Sequence, residues 1–177
     1  MKGINLKEVC RQIKFHGKRS LIWSRTDEFH YITNRHWMLR FSDSHLPREV
    51  LVLLFSVFAM IPEPRKALVA NFGDVTEKEA INIQPIYTSL GTAKPGNITP
   101  FSKDHDVLRM RIIQSGSDFI YLDEEYVKMV DLNEEAACTG KVSSVFFLNG
   151  AVVILPYRNT SGNEILLADL IADQVSR

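Results

Sequence analysis

Asp118-Phe119-Ile120-Tyr121-Leu122-Asp123-Glu124-Glu125-Tyr126-Val127-Lys128-Met129-Val130, followed after a polar stretch by Ala151-Val152-Val153-Ile154-Leu155-Pro156-Tyr157-Arg158, is the part of this 177-residue chain that decides its fold. Phe119 to Leu122 has the aromatic and branched composition of a strand. Asp123 to Leu132 then sets Tyr126, Val127 and Val130 at helical spacing among acidic residues, which predicts a short helix with one buried side. Apolar runs near 136–139, 142–148 and 151–156 read as strands. Asn149-Gly150 between the last two predicts a type I′ hairpin, because both central residues of that turn need positive φ. The same order occurs earlier, in Phe29 to Phe41, a helix from about Leu46 to Met60, and further strands. Two strand-helix-strand passages in one chain imply an α+β scaffold built on antiparallel sheets.

Outward from these passages, Ile4-Asn5-Leu6-Lys7-Glu8-Val9 opens a helix. Asn5 is placed to cap it, Glu8 stands at the third position, and Ile4 can pack on Val9. The helix runs to about Phe15 and stops at Gly17. Leu21 to Trp23 and Phe29 to Ile32 read as strands, with a turn at Thr33-Asn34-Arg35-His36 where Asn tolerates positive φ. Ser44 is placed to cap the next helix, with Pro47 in its first turn. Ala67 to Phe72 and Ala80 to Tyr87 read as strands, residues 91–106 as a long Gly/Pro loop, and Val107 to Ile113 as a strand with Arg109 and Arg111 on one face. Asn163-Glu164 opens a C-terminal helix through Ile171. The organisation expected is an N-terminal basic helix over 1–19, a single α+β domain over 20–158, and a C-terminal helix over 159–177.

Composition narrows the class. Hydrophobic content of 45% and charged content of 24% are ordinary for a globular chain and set aside disordered and fibrous classes. Lys+Arg and Asp+Glu each number 21, so net charge selects no polyanionic partner and only its distribution informs. Cys10 and Cys138 lack metal-ligand spacing and fit a reducing compartment. With no secretory signal and no apolar run long enough to span a bilayer, the expectation is a cytoplasmic protein without membrane contact.

With these elements in place, Tyr31 to Phe41 and the helix near Leu46 to Met60 resemble one half of a DNA sliding-clamp domain. Phe119 to Met129 with Gly150 to Arg158 resembles the closing half of a bacterial clamp domain, of the kind also found in small clamp-like proteins of phages and mobile elements. The resemblance covers roughly residues 20–158 at the level of element order. It implies a single clamp-like domain, a non-enzymatic interaction module in DNA metabolism, and a protein partner or self-association, since rings in that family need several such domains. It does not bring a basic channel with it. Arg48 stands among apolar residues, and Asp123, Glu124, Glu125 and Asp131 face Lys128 alone, where phosphate contact needs cations.

Candidate sites follow from residue type. Lys7, Arg11 and Lys14, extended by Lys18 and Arg19, form a basic stripe suited to a nucleic-acid backbone; its ordinary alternative is a solvated helix face. Residues 1–25 hold seven basic residues and one acidic. Arg35 and His36, with Arg109, are the candidate site of an alternative reading, a small ligand-binding protein or enzyme, against the reading of a core Trp37 flanked by hairpin polar residues. Asp104-His105-Asp106 has no second metal motif beside it, and no nucleophile elbow, phosphate loop or dinucleotide turn is present. No catalytic residue, metal site or cofactor is therefore assigned.

Overall fold

The computed structural model describes residues 2–105 and 107–157. α1 (Leu6–Gly17) precedes a three-stranded meander of β1 (Ser20–Arg25), β2 (Phe29–Thr33) and β3 (Trp37–Ser42); α2 (Arg48–Phe58) leads to β4 (Lys66–Asn71) and β5 (Asp74–Glu79). After α3 (Gln84–Leu90) comes a second meander, β6 (Lys94–His105), β7 (Leu108–Ser115) and β8 (Asp118–Asp123). α4 (Glu124–Val127), β9 (Glu135–Cys138), β10 (Val145–Phe147) and β11 (Val152–Ile154) complete the described chain. All strands join one antiparallel sheet in the order β5-β4-β1-β2-β3-β11-β10-β9-β6-β7-β8. In each half a meander is followed by a helix, and the next strand returns beside the first strand of that meander: β4 pairs with β1, β9 with β6.

Alternation along the strands divides the core. Trp37, Leu39, Phe41, Val145, Phe147, Val152 and Ile154 point to the face covered by α1, α2 and α4, while Tyr31, Met38, Phe146 and Val153 point to the face covered by α3. The far edge curls back on the middle of the sheet: Leu155 N–H donates to His36 O and Tyr157 N–H to Tyr121 O, both at 2.8 Å. α1 belongs to the core, with Val9 and Ile13 fully buried. It also reaches the second half, since Asn5 N–H donates to Met129 O and Gln12 Nε2 to Glu125 O.

Several expectations hold in detail. Asn5 Oδ1 accepts from Glu8 N–H, and Asn149-Gly150 forms the type I′ turn, with φ of 54° and 80° and Ala151 N–H donating to Leu148 O. Others are corrected. Residues 80–87 are not a strand: Gln84–Leu90 is helical, because Ile83, Ile86, Tyr87 and Leu90 at helical spacing cover the outer face of the central strands. Residues 91–106 are not a loop but contain β6, the longest strand. Its Gly and Pro residues serve close packing and a register shift: a Cβ on Gly96 would lie 2.8 Å from Cys138 Sγ, and Pro100 falls in the break between Ile98 and Ser102.

The 123–132 helix shrinks to the single turn α4, since the chain must bend for Val130 to bridge Ile4. Ser44 does not cap α2. It lies in a short 3₁₀ turn, Asp43–His45, and Pro47 occupies the capping position without a side-chain bond. In the β2–β3 turn the positive φ falls on Arg35, at 77°, not on Asn34. β5, unforeseen, is an exposed edge strand whose Glu77, Lys78 and Glu79 discourage further pairing. The expected C-terminal helix lies outside the described residues. No described helix is long and apolar enough to cross a membrane.

Candidate functional site

α1 and α2 lie side by side and parallel. Glu49, at the start of α2, is close enough to add to the effect of burial in raising the Cys10 thiol, and a Cβ on Gly17 would meet Val57 Cγ2 at 2.6 Å near the ends of both helices. α2 buries Val50, Leu54 and Phe58, and its outer side is apolar as well: Val52 is 59% exposed and Phe55 52%. Met60 and Ile61, just past the helix, are exposed as well. A contiguous apolar surface beside polar neighbours is the mark of a contact site. Sequence reading treated this helix only as a core helix with a wide apolar face. The signal was available, because apolar residues run almost all round it.

The five residues of the basic stripe are all exposed, but not equivalent. Arg11 is consumed by acids: its Nε lies 2.6 Å from Glu8, and its Nη2 reaches Glu125, which also holds Lys128. Arg19 stacks over Phe15, 4.5 Å from the ring centroid. Lys7, Lys14 and Lys18 have no ion pair among the described residues. Lys14 and Lys18 continue the row of Cys10 and Gly17 and so flank α2.

The candidate ligand site divides in two. Arg35 and His36 are exposed at the β2–β3 turn, whereas Arg109 Nε donates to Ser102 Oγ at 2.9 Å and lies 3.2 Å from Glu124 Oε2. Glu124 also pairs with Arg111 at 2.6 Å, both side chains 13% exposed. These two residues face an open cleft of about 540 Å³ with Glu8, Lys128 and Asp131. The charges there are of both signs, and most are spoken for: Arg111 pairs with Glu124 inside the cleft, and Glu8 and Lys128 pair with Arg11 and Glu125 beside it, so the cleft carries no strong preference for a charged ligand.

What the β2–β3 turn does organise is a joint among three elements. Asn34 is buried; its Oδ1 accepts from His36 N–H at 2.9 Å and Trp37 N–H at 3.0 Å. That fixes the amide, so Nδ2 is the donor toward Tyr126 Oη of α4 at 3.4 Å and His16 Nε2 of α1 at 3.1 Å. His16 must then accept through Nε2, which requires neutral imidazole. Its pKa is lowered, by burial first and then by His36 and Arg19. Asp123 caps α4 by accepting from Glu125 N–H at 2.9 Å; burial raises its carboxyl pKa and that hydrogen bond opposes the rise. His16 and Tyr126 were not foreseen, because nothing local marks residues 92 or more positions from Asn34 or at the far end of another helix. Among the described residues no three His, Cys, Asp or Glu side chains converge as metal ligands.

Comparison with protein-family models, with curated proteins and with solved structures finds no match to the chain.

Proposed function

We propose that this chain is a non-enzymatic, clamp-like interaction module whose contact surface is the outer side of α2. The observation that carries the reading is the exposed pair Val52 and Phe55 on a helix already anchored by its other side, with Met60 and Ile61 exposed just past its end. Its support on the fold side is the meander-helix-return order met twice, the arrangement expected of a clamp-like domain. The surface favours a protein partner over duplex DNA, because α2 offers apolar groups and a single cation, Arg48, offset by the adjacent Glu49, where phosphate contact needs several cations. The DNA setting of the resemblance makes proteins of phage or mobile-element DNA metabolism the first class to examine.

The test is a paired capture from the source organism with the wild-type chain and Phe55→Asp as bait, both checked for folding by circular dichroism. Proteins retained by the first and lost by the second are the expected outcome. An identical set on both baits sinks the reading.

A second reading, nucleic-acid contact through α1, is favoured by the exposed Lys7, Lys14 and Lys18. Three phosphate contacts would give a log-log salt slope of roughly −3 for duplex DNA. Absence of binding at low salt would remove it.

A further inference from the structure

We infer that the end of the molecule where α1 turns into β1 and the β4–β5 hairpin closes binds single-stranded nucleic acid, with Phe15 and Phe72 as stacking platforms and Lys14, Lys18 and Arg19 on the phosphates. The inference deepens the reading of α1 as a nucleic-acid contact and rests on it. Two independent observations carry it: a backbone strained to hold an exposed ring, and the residues among which the fold places that ring.

The strain lies in the β4–β5 turn. Asn71 pairs with Asp74, so only Phe72 and Gly73 bridge the two strands, with φ of 49° and 98°. Positive φ at both bridging positions is the mark of a type I′ turn, which suits Asn, Asp or Gly. A bulky phenylalanine there is an outlier and is held at a steric cost. Packing within the protein offsets little of that cost, because Phe72 is 82% exposed.

The fold then brings this ring to the basic end of α1. Phe72 N–H donates to Arg19 O at 3.1 Å, one step beyond the Ser20–Asn71 pair of β1 and β4. Arg19 lies over the ring of Phe15, 4.5 Å from its centroid, and Phe15 is itself 54% exposed. Lys14 and Lys18, the sequence neighbours of Phe15 and Arg19, are exposed and have no ion pair among the described residues. Between Glu8 and Asp27 the chain has no acidic residue, and the hairpin tip adds one, Asp74.

This combination selects the ligand. Cations alone fit any polyanion, but exposed rings are idle against a duplex, whose base faces are stacked on one another. A single strand offers phosphates and free base faces together, and an aromatic platform accepts any base. A membrane surface is the poorer match, since two separate rings supply little apolar area for insertion.

The test titrates the full chain with fluorescent oligo(dT), oligo(U) and a duplex of equal length across a salt series, and with vesicles of phosphatidylserine and phosphatidylcholine. Single strands are expected to bind more tightly than duplex, with a log-log salt slope of about −2 for three phosphate contacts; oligo(dT) and oligo(U) separate DNA from RNA as the source of the strand. Phe72→Asn suits the turn and should melt no lower than wild type, yet bind roughly five- to a hundredfold more weakly. Phe15→Ala should lose a similar factor, and Phe72→Trp should retain binding. Unchanged single-strand affinity in both Phe72→Asn and Phe15→Ala overturns the proposal, as does binding to vesicles alone, which would assign the patch to a lipid surface. Duplex bound as tightly as single strands, with no dependence on either ring, would leave α1 as a backbone contact and remove only the stacking site. No binding of any strand at low salt removes both.

Discussion

α2 follows the first meander as an 11-residue helix with Val52 and Phe55 turned outward, whereas α4 follows the second as a single turn whose Glu124 and Glu125 are bound by Arg109, Arg111, Arg11 and Lys128. The connectivity around them is the same, so the difference lies in what each helix is packed against. α1 spans both. Toward α4 it presents Arg11, Gln12 and the backbone around Asn5, making a polar joint, and toward α2 it presents Cys10 and Gly17, making a close apolar one. One half is thereby sealed by polar contacts and the other is left with an apolar surface to be covered. Repetition of topology does not imply repetition of role.

The largest expected effect tests the core beneath the two helices. Leu54 and Val127 are both fully buried. Leu54→Ala should cost about 2–5 kcal/mol, lowering Tm by about 2–4 °C for each, while Val127→Ala, losing less volume, should cost about 2 kcal/mol. Thermal denaturation that ranks them the other way would make α4 the more integral element and break the comparison. Next comes the joint. Asn34→Ala strands the N–H groups of His36 and Trp37 and should cost about 1–3 kcal/mol, with Asn34→Asp, which keeps the acceptor, closer to wild type. Equal losses in chemical denaturation would show that the contacts to His16 and Tyr126, not the turn, matter most.

Acidification should act on both halves through histidines held neutral. His30 Nδ1 accepts from Trp23 Nε1 at 3.1 Å while Nε2 faces Asp43 at 3.0 Å; burial is the main cause lowering its pKa, and Asp43 opposes it. For His16 and His30 the folded-state pKa lies below the ordinary 6.5, so the unfolded chain binds more protons and stability is present above pH 6.5 and lost as pH falls below it. Asp123, with a raised pKa, acts in the opposite sense at lower pH. A Tm that falls between pH 7.5 and 5.5, and falls less in His16→Gln, is the expected result; a flat profile would contradict the joint as described. The smallest effect belongs to the open surface: Phe55→Asp should change stability by no more than about 0.5 kcal/mol, since the ring is half exposed. A larger loss would mean that the ring is covered in the folded chain, which calorimetry of the full chain can measure.

Much of the fold was legible because its signals are local. β3 and β7 follow from period-two patterning, β1, β2, β4 and β8 from short apolar and aromatic runs, the last hairpin from Asn149-Gly150, and α1 from Asn5 and its apolar stripe. The failures were also local in origin. Ile81 and Ile83 alternate like a strand and hide the helical spacing that follows, and Pro95, Gly96 and Pro100 look like a loop because tight packing on Cys138 and a register shift leave the same residues behind as a turn does. The basic stripe was visible, but the capture of Arg11 by Glu125 was not. Arg35 and His36 were rightly placed in one turn, while Arg109's partners Ser102 and Glu124 came from other elements.

By itself the sequence determined the alternation of strands and helices, the repeated order and the turn chemistry, all of which depend on neighbours a few residues apart. Only the tertiary structure decided which charges are spent and which side of an apolar helix stays open. Those outcomes depend on what packs against each face, and the packing brings together groups such as Arg11 and Glu125, 114 residues apart.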